Sequence, residues 1–258
     1  MRVQAPYLSM PPAGDGACVT CRGPVSLRGG PVSLRNARCH PCGLHTETLP
    51  GLLADAVVPI SYAPKGGQHA RNLWLYKSAR PDAGPARAAM RALLVVFLRD
   101  HGRCVWRAAG MTRPTYLAVV PSDRGRAGLH PLQALVTPCL ALPWAPLALR
   151  LRDDPETRDI DADRFLAAPL AGADVALLDD TWTTGASAQS ASAALRLAGA
   201  RPVAVIVLGR HVSEPDSGFR TRGQAHRGPA GAAARPPAAL AFRPSLCAVH
   251  APSAENGQ

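Results

Sequence analysis

Two groups of residues in this chain have the types and spacing that do chemistry. The first is residues 175–187, Val-Ala-Leu-Leu-Asp-Asp-Thr-Trp-Thr-Thr-Gly-Ala-Ser. The apolar run predicts a strand, the acidic pair Asp179 and Asp180 its end, and the Thr/Gly/Ser stretch a loop opening an Ala-rich helix. Carboxylates at such a tip accept hydrogen bonds from vicinal sugar hydroxyls. The loop's N–H groups and hydroxyls, with the positive end of the following helix, suit a phosphate. A ribose 5-phosphate would satisfy both halves. The plainer reading is a strand followed by an N-capped helix, but a cap needs only one such side chain.

The second group is sulfur. Cys18-x-x-Cys21 is followed by Cys39-x-x-Cys42, the spacing of a four-thiolate zinc ribbon in which each pair forms a knuckle. Between the pairs, Gly23-Pro24-Val25-Ser26-Leu27-Arg28 recurs as Gly30-Pro31-Val32-Ser33-Leu34-Arg35 around a Gly-Gly turn signal, which predicts a hairpin. Structural zinc would stabilise so small a segment; redox pairs or a metal-free finger are the alternatives. His40 and His45 read as flanking polar residues. Cys104 and Cys139 read as core. Cys247 and His250 have a ligand spacing but lack two further donors.

A third candidate follows residues 119–120: Pro121-Ser122-Asp123-Arg124-Gly125-Arg126. Small residues with two arginines at a strand end suit a diphosphate, since guanidinium binds phosphate bidentately. A solvated turn with incidental arginines is the alternative.

The elements that must position these groups alternate. Strands are expected at 56–62, 115–120, 175–178 and 202–208. Helices are expected at 84–100 (with Gly102 as its stop), within 132–142, and at 186–199. Continuous apolar strands between helices imply an α/β fold with a mostly parallel sheet covered on both faces. Ligands then bind beyond the carboxyl ends of the strands, where Asp179 and Asp180 stand. The expected organisation is an N-terminal segment with the ribbon (1–50), the α/β domain (51–212), and a tail (213–258) dominated at 217–237 by Gly, Pro, Ala and Arg, which reads as disordered.

The formal charge of +11 comes almost wholly from arginine, Lys65 and Lys77 being the only lysines. A basic balance suits anionic partners such as nucleic acid or phosphorylated substrates. Arg, Ala, Pro and Gly in excess also follow from a GC-rich coding sequence, and the arginines are scattered. No apolar run approaches the roughly 20 residues of a membrane span, and the N-terminus lacks a signal-peptide core. A cytoplasmic location with reduced thiols is expected.

All thirteen positions of 175–187 are compatible with the phosphoribosyl-pyrophosphate (PRPP) motif, and the stretch resembles that of type I phosphoribosyltransferases. The resemblance implies that Asp179 and Asp180 hold the ribose hydroxyls, and that Thr183, Thr184, Gly185, Ala186 and Ser187 hold the 5-phosphate. It also implies that Ser122, Asp123, Arg124, Gly125 and Arg126 meet the pyrophosphate. The order of four cysteines, Trp74-Leu75-Tyr76-Lys77, the loop after Val119-Val120 and the PRPP motif is similar to the ComF family, over roughly residues 15–212. That family implies a type I phosphoribosyltransferase-like fold in a bacterial protein linked to competence and DNA uptake, with Mg²⁺ accompanying PRPP and structural Zn²⁺. DNA or a helicase-type protein is the partner it implies.

The chain departs from the family pattern in three places. Arg126-Ala127-Gly128-Leu129-His130 stands where Arg-Gly-Phe-Asn is usual. Residues 153–165 keep only Thr157, Arg158, Arg164 and Phe165 of a mobile-loop series. Thr183 occupies the place where 6-oxopurine salvage enzymes have a base-contacting Asp, which argues against a purine acceptor. No side chain stands out as a general base, so no catalytic residue is assigned. Two classes are expected: a PRPP-dependent transferase of unstated acceptor, or a non-catalytic PRPP- or nucleotide-sensing accessory to DNA processing.

Overall fold

The structure is a computed structural model that describes residues 7, 10, 17–25, 38–122, 128–149, 159–212 and 247–249. Along the chain come α1 (His40–Thr48), β1 (Ala56–Pro59), β2 (Tyr62–Pro64), α2 (Gln68–Leu75), α3 (Ala83–Ala108), β3 (Tyr116–Val119) and α4 (Pro131–Val136). There follow β4 (Leu147–Leu149), β5 (Phe165–Ala167), β6 (Val175–Trp182), α5 (Ala186–Leu197) and β7 (Val203–Val212).

The five-stranded sheet runs β1-β7-β6-β3, with β2 also on β7, and every pairing is parallel. The mainly parallel α/β sheet expected from the apolar strands is therefore present. β1 and β2 keep one register against β7, Ala56 opposite Ala204 and Tyr62 opposite Arg210, so the strand expected at 56–62 is one track interrupted at Ile60-Ser61. β4 and β5 form a separate antiparallel pair.

Alternation along the strands divides the core in two. Val58, Leu117, Ala176, Leu178, Ala204 and Ile206 meet α2, α3 and α4 on one face. Val57, Ala118, Val175, Leu177, Val203 and Val205 meet α5 on the other. Each fully buried Val, Leu or Ile contributes roughly 1.5–3 kcal/mol, so both faces are anchored. Helix α5 buries nearly every residue from Ala186 to Leu195, because its alanines and serines let it sit close to the sheet.

The elements differ from expectation at several points. Helix α3 runs through Gly102 to Ala108, because the buried face Leu94, Phe97, His101, Val105 continues past it. Its stop is Gly110, at φ +79°. Strand β6 carries Asp179 and Asp180 inside it rather than after it. Helix α2 has no counterpart among the elements expected from the sequence.

Candidate functional site

The carboxyl ends of β3 and β6 open onto a cleft of about 200 Å³ lined by Lys77, Val120, Pro121, Ser122, His130, Leu132, Arg164, Leu178, Asp179, Asp180, Thr181 and Ser187. The two acids are neighbours on one strand, so their side chains leave it in opposite directions. Asp179 is in register with Val207, on the α5 side. Asp180 turns to the other side, where the chain leaving α2 meets it.

That difference in direction gives them different electrostatics. Tyr76 Oη donates to Asp180 Oδ2 at 2.8 Å, and Lys77 Nζ forms an ion pair with the same oxygen. The pair is largely shielded, at 24% exposure for Lys77 and 12% for Asp180. Asp179 has no cation of its own among the described residues. Its Oδ1 accepts the backbone N–H of Asp180 at 2.8 Å. Burial, with the neighbouring Asp180 charge, pushes its carboxyl from 3.8 up to about 7, while Lys77 draws it back in part. One acid is thus held by a cation and a phenol, and burial raises the carboxyl of the other towards neutrality.

The loop after β6 is built around Gly185. At φ +90° it is the N-cap of α5, and a Cβ there would lie 2.0 Å from the Trp182 ring. Only glycine permits both the left-handed backbone and the close approach. No side chain caps the helix through a hydrogen bond at Gly185. Thr183 and Thr184 are exposed, Gly185 and Ala186 buried, and Ser187 lines the cleft. Ala186 N–H donates to Thr184 Oγ1 at 3.4 Å, and the start of α5 faces the cleft through Ser187, a position whose dipole favours an anion.

Of the diphosphate loop, Ser122 lines the cleft, whereas Asp123, Arg124, Gly125 and Arg126 lie outside the described residues. Of the family-loop remnants, Thr157 and Arg158 lie outside them too, and Phe165 opens β5. Arg164 reaches the cleft, and its buried Nη1 has no hydrogen-bond partner among the described residues. A buried guanidinium N–H without an acceptor marks where an anion would sit.

The sulfur group is also assembled. Cys18, Cys21, Cys39 and Cys42 are buried with their Sγ atoms all within 4.8 Å of one another, and Cys21 and Cys39 are 3.7 Å apart. Tetrahedral Zn–S bonds of about 2.3 Å imply sulfur separations of about 3.8 Å, so the four thiols could hold a metal such as zinc. Hydrogen bonds from Cys21, Cys39 and Cys42 pull the Cys18 thiol well below its ordinary range. Bonding to Cys18 and then Cys21 pushes Cys39 and Cys42 up. A divalent ion would displace the protons that remain.

The two pairs differ in form, which corrects the two-knuckle ribbon. Cys18 N donates to Gly23 O at 2.7 Å and Gly23 N to Cys21 Sγ at 3.4 Å, with Ala17 and Pro24 bridged antiparallel, so the first pair is a knuckle. The second pair is the start of a helix: Cys39 is the N-cap of α1 and Cys42 lies in its first turn. Pro41 sets that turn, and the helix end favours thiolate charge. Of the hairpin expected from the repeat at 23–35, residues 26–35 lie outside the described residues. The cluster is not a separate lobe. Its cysteines share the α5-side core, Tyr62 Oη donates to Arg22 O at 2.6 Å, and Gly23 lies against Arg210.

Of the lone cysteines, Cys104 is partly buried against the core, but Cys139 is exposed in the turn after α4, where Pro138 carries the chain outward. His45 is buried and stands outside the sulfur group; His40 is exposed. Among the described residues no helix is long and apolar enough to cross a membrane.

Compared with known proteins, the chain matches no family model, no curated protein and no solved structure.

The site residues that the motif alone misses are Tyr76, Lys77, His130 and Arg164. Outside that motif, Tyr76 and Lys77 stood in the Trp74-Leu75-Tyr76-Lys77 segment and Arg164 among the remnants at 153–165, whereas His130 was named only as part of the departure at 126–130.

Proposed function

We propose that the protein binds PRPP in the β3–β6 cleft and transfers its phosphoribosyl group to an acceptor, releasing pyrophosphate. The observation that carries this reading is the convergence on one cleft of Asp179, Asp180, Ser187 and Arg164, two sugar-type acceptors beside anion-type donors. The proposed division of roles follows from the electrostatics. Asp180, held by Tyr76 and Lys77, presents a fixed carboxylate edge to the ribose hydroxyls. Asp179 becomes an acceptor as it loses its proton. Residues 183–187 and the start of α5 hold the 5-phosphate, while Ser122, Arg164 and the loop at 123–126 face the pyrophosphate.

In such a transfer the ribose–pyrophosphate C–O bond breaks, pyrophosphate leaves with the bonding electrons, and the acceptor attacks the opposite face of the anomeric carbon. Positive charge develops on the sugar, and fixed carboxylates stabilise it without forming a bond. Carboxylate oxygens are hard donors that suit Mg²⁺, which would neutralise pyrophosphate oxygens when bound. The four-cysteine site is read as structural zinc.

The test is pyrophosphate release from PRPP and Mg²⁺ over a panel of amine and base acceptors, with PRPP binding followed in parallel. Release that Asp179→Asn abolishes supports the transferase. PRPP binding with no release from any acceptor supports an accessory protein that senses PRPP, and salt-sensitive binding of single-stranded DNA would extend that to DNA processing.

A further inference from the structure

A second cluster of metal-type donors lies on the opposite face of the sheet from the four thiols. His101 and Cys104 are three apart on α3, on adjoining turns. Cys247, far away in sequence, comes to the same point. One ligand atom from each of the three lies within 4.8 Å of the others, with His101 and Cys247 buried and Cys104 partly so. From its sequence spacing Cys247 lacked two partners; α3 supplies them. Its spacing mate His250 lies outside the described residues.

The three positions are held from several sides. The Phe97 ring packs against the His101 imidazole with centroids 5.4 Å apart. Cys247 and Ala248 are in the main core with Val105 and Leu94, and Val249 packs against it. Arg22, from the four-thiol knuckle, donates to Ala248 O through Nε at 3.0 Å and Nη2 at 2.7 Å. The same guanidinium donates to Cys18 O at 3.3 Å. The segment at 247–249 is thus pinned between the thiol cluster and α3.

We infer that His101, Cys104 and Cys247 form a second metal site, for zinc or a similar borderline-soft divalent ion, that fastens the C-terminal segment to α3. One imidazole and two thiolates are a donor set zinc takes in preference to hard cations. Two thiolates also balance the ion's charge, which allows it to lie in a mostly apolar core. Three protein donors leave a fourth position for water or one more ligand. The site would link the segment at 247–249 to α3 without a disulfide.

The experiment is zinc quantification on the full-length protein purified under reducing conditions. Two zinc per chain are expected in the wild type, falling to one in Cys104→Ser/Cys247→Ser with the four-thiol site retained. One zinc in the wild type, or two in the double variant, overturns the inference. So does a Cys104–Cys247 disulfide found by mass spectrometry in protein purified without reductant. If the double variant fails to fold, zinc X-ray absorption on the wild type decides instead. Mixed sulfur and imidazole scatterers support the site, and four sulfurs per zinc with no nitrogen overturn it.

Discussion

The thiol cluster and the acidic cleft both crowd acidic groups of one kind, and the chain relieves the crowding in opposite ways. In the cluster four equal donors close on one another, with backbone N–H groups, a helix end and nearby arginines around them. Nothing remains open, and the arrangement suits a structural ion. In the cleft two carboxylates on one strand receive unequal support. Asp180 takes Tyr76 and Lys77; Asp179 takes the backbone N–H groups of Asp180 and Thr181, and burial raises its carboxyl to about 7. An open space, the start of α5 and a buried Arg164 Nη1 without a hydrogen-bond partner among the described residues lie beside them. The completed region is read as serving stability, and the incomplete one is where a ligand is proposed to bind.

The largest expected effect comes from breaking the closed region. Cys18→Ser/Cys21→Ser should lose that site's zinc and cost more than about 5 kcal/mol, since structural zinc supplies on the order of 10 kcal/mol. Thermal unfolding that matches the wild type would contradict this. Next is the glycine on which the cleft loop turns. Gly185→Ala should cost about 2–4 kcal/mol in denaturant unfolding, while Gly51→Ala, also at positive φ but with nothing within 4 Å of a new Cβ, should cost about 1. Equal costs would remove the role given to Trp182 beneath the loop.

Smaller still is the cation. Lys77→Met leaves two carboxylates with one phenol between them and should cost about 1–3 kcal/mol. It should also move Asp179 above about 7, because Lys77 now draws it down. Carboxyl NMR titration reads this directly, and an unmoved Asp179 would break the asymmetry between the two acids.

The smallest effect is the one with the clearest sign. Asp179 titrates at 3.8 unfolded and about 7 folded, so the folded state holds the proton more tightly between those values. Its ionisation therefore costs stability progressively as pH rises from about 4 to about 7, and the cost is constant above. Asp179→Asn should stabilise the ligand-free protein by on the order of 1–2 kcal/mol more at pH 8 than at pH 5, once solvent in the cleft is allowed for. A gain that shrinks with rising pH would reverse the assignment.

The two regions were unequally legible in the sequence. The cysteine spacing named all four donors, because each x-x pair is local. It did not say that the second pair starts a helix, since Cys39-His40-Pro41-Cys42 is equally compatible with a knuckle. The strands announced themselves through apolar runs, and alternation along β6 predicts that Asp179 and Asp180 diverge. What they diverge towards was hidden, because Tyr76 and Lys77 are brought over by α2, whose polar Gln68-His69-Ala70-Arg71-Asn72 start masks its buried face. Gly102 misled for a related reason: one glycine costs a helix about 1 kcal/mol, less than the buried His101 and Val105 turns around it return. The His101–Cys104–Cys247 group was unreadable in principle, since it is made by tertiary contact alone.

Binding of PRPP by the unequal acid pair is tested most directly by calorimetry. PRPP with Mg²⁺ would be titrated into the zinc-loaded full-length protein, beside an Asp179→Asn/Asp180→Asn variant shown to be folded by circular dichroism. Saturable binding is expected in the wild type, and at least a hundredfold weaker binding in the variant. No binding to the folded, zinc-containing wild type, or equal binding by both proteins, would contradict the PRPP site.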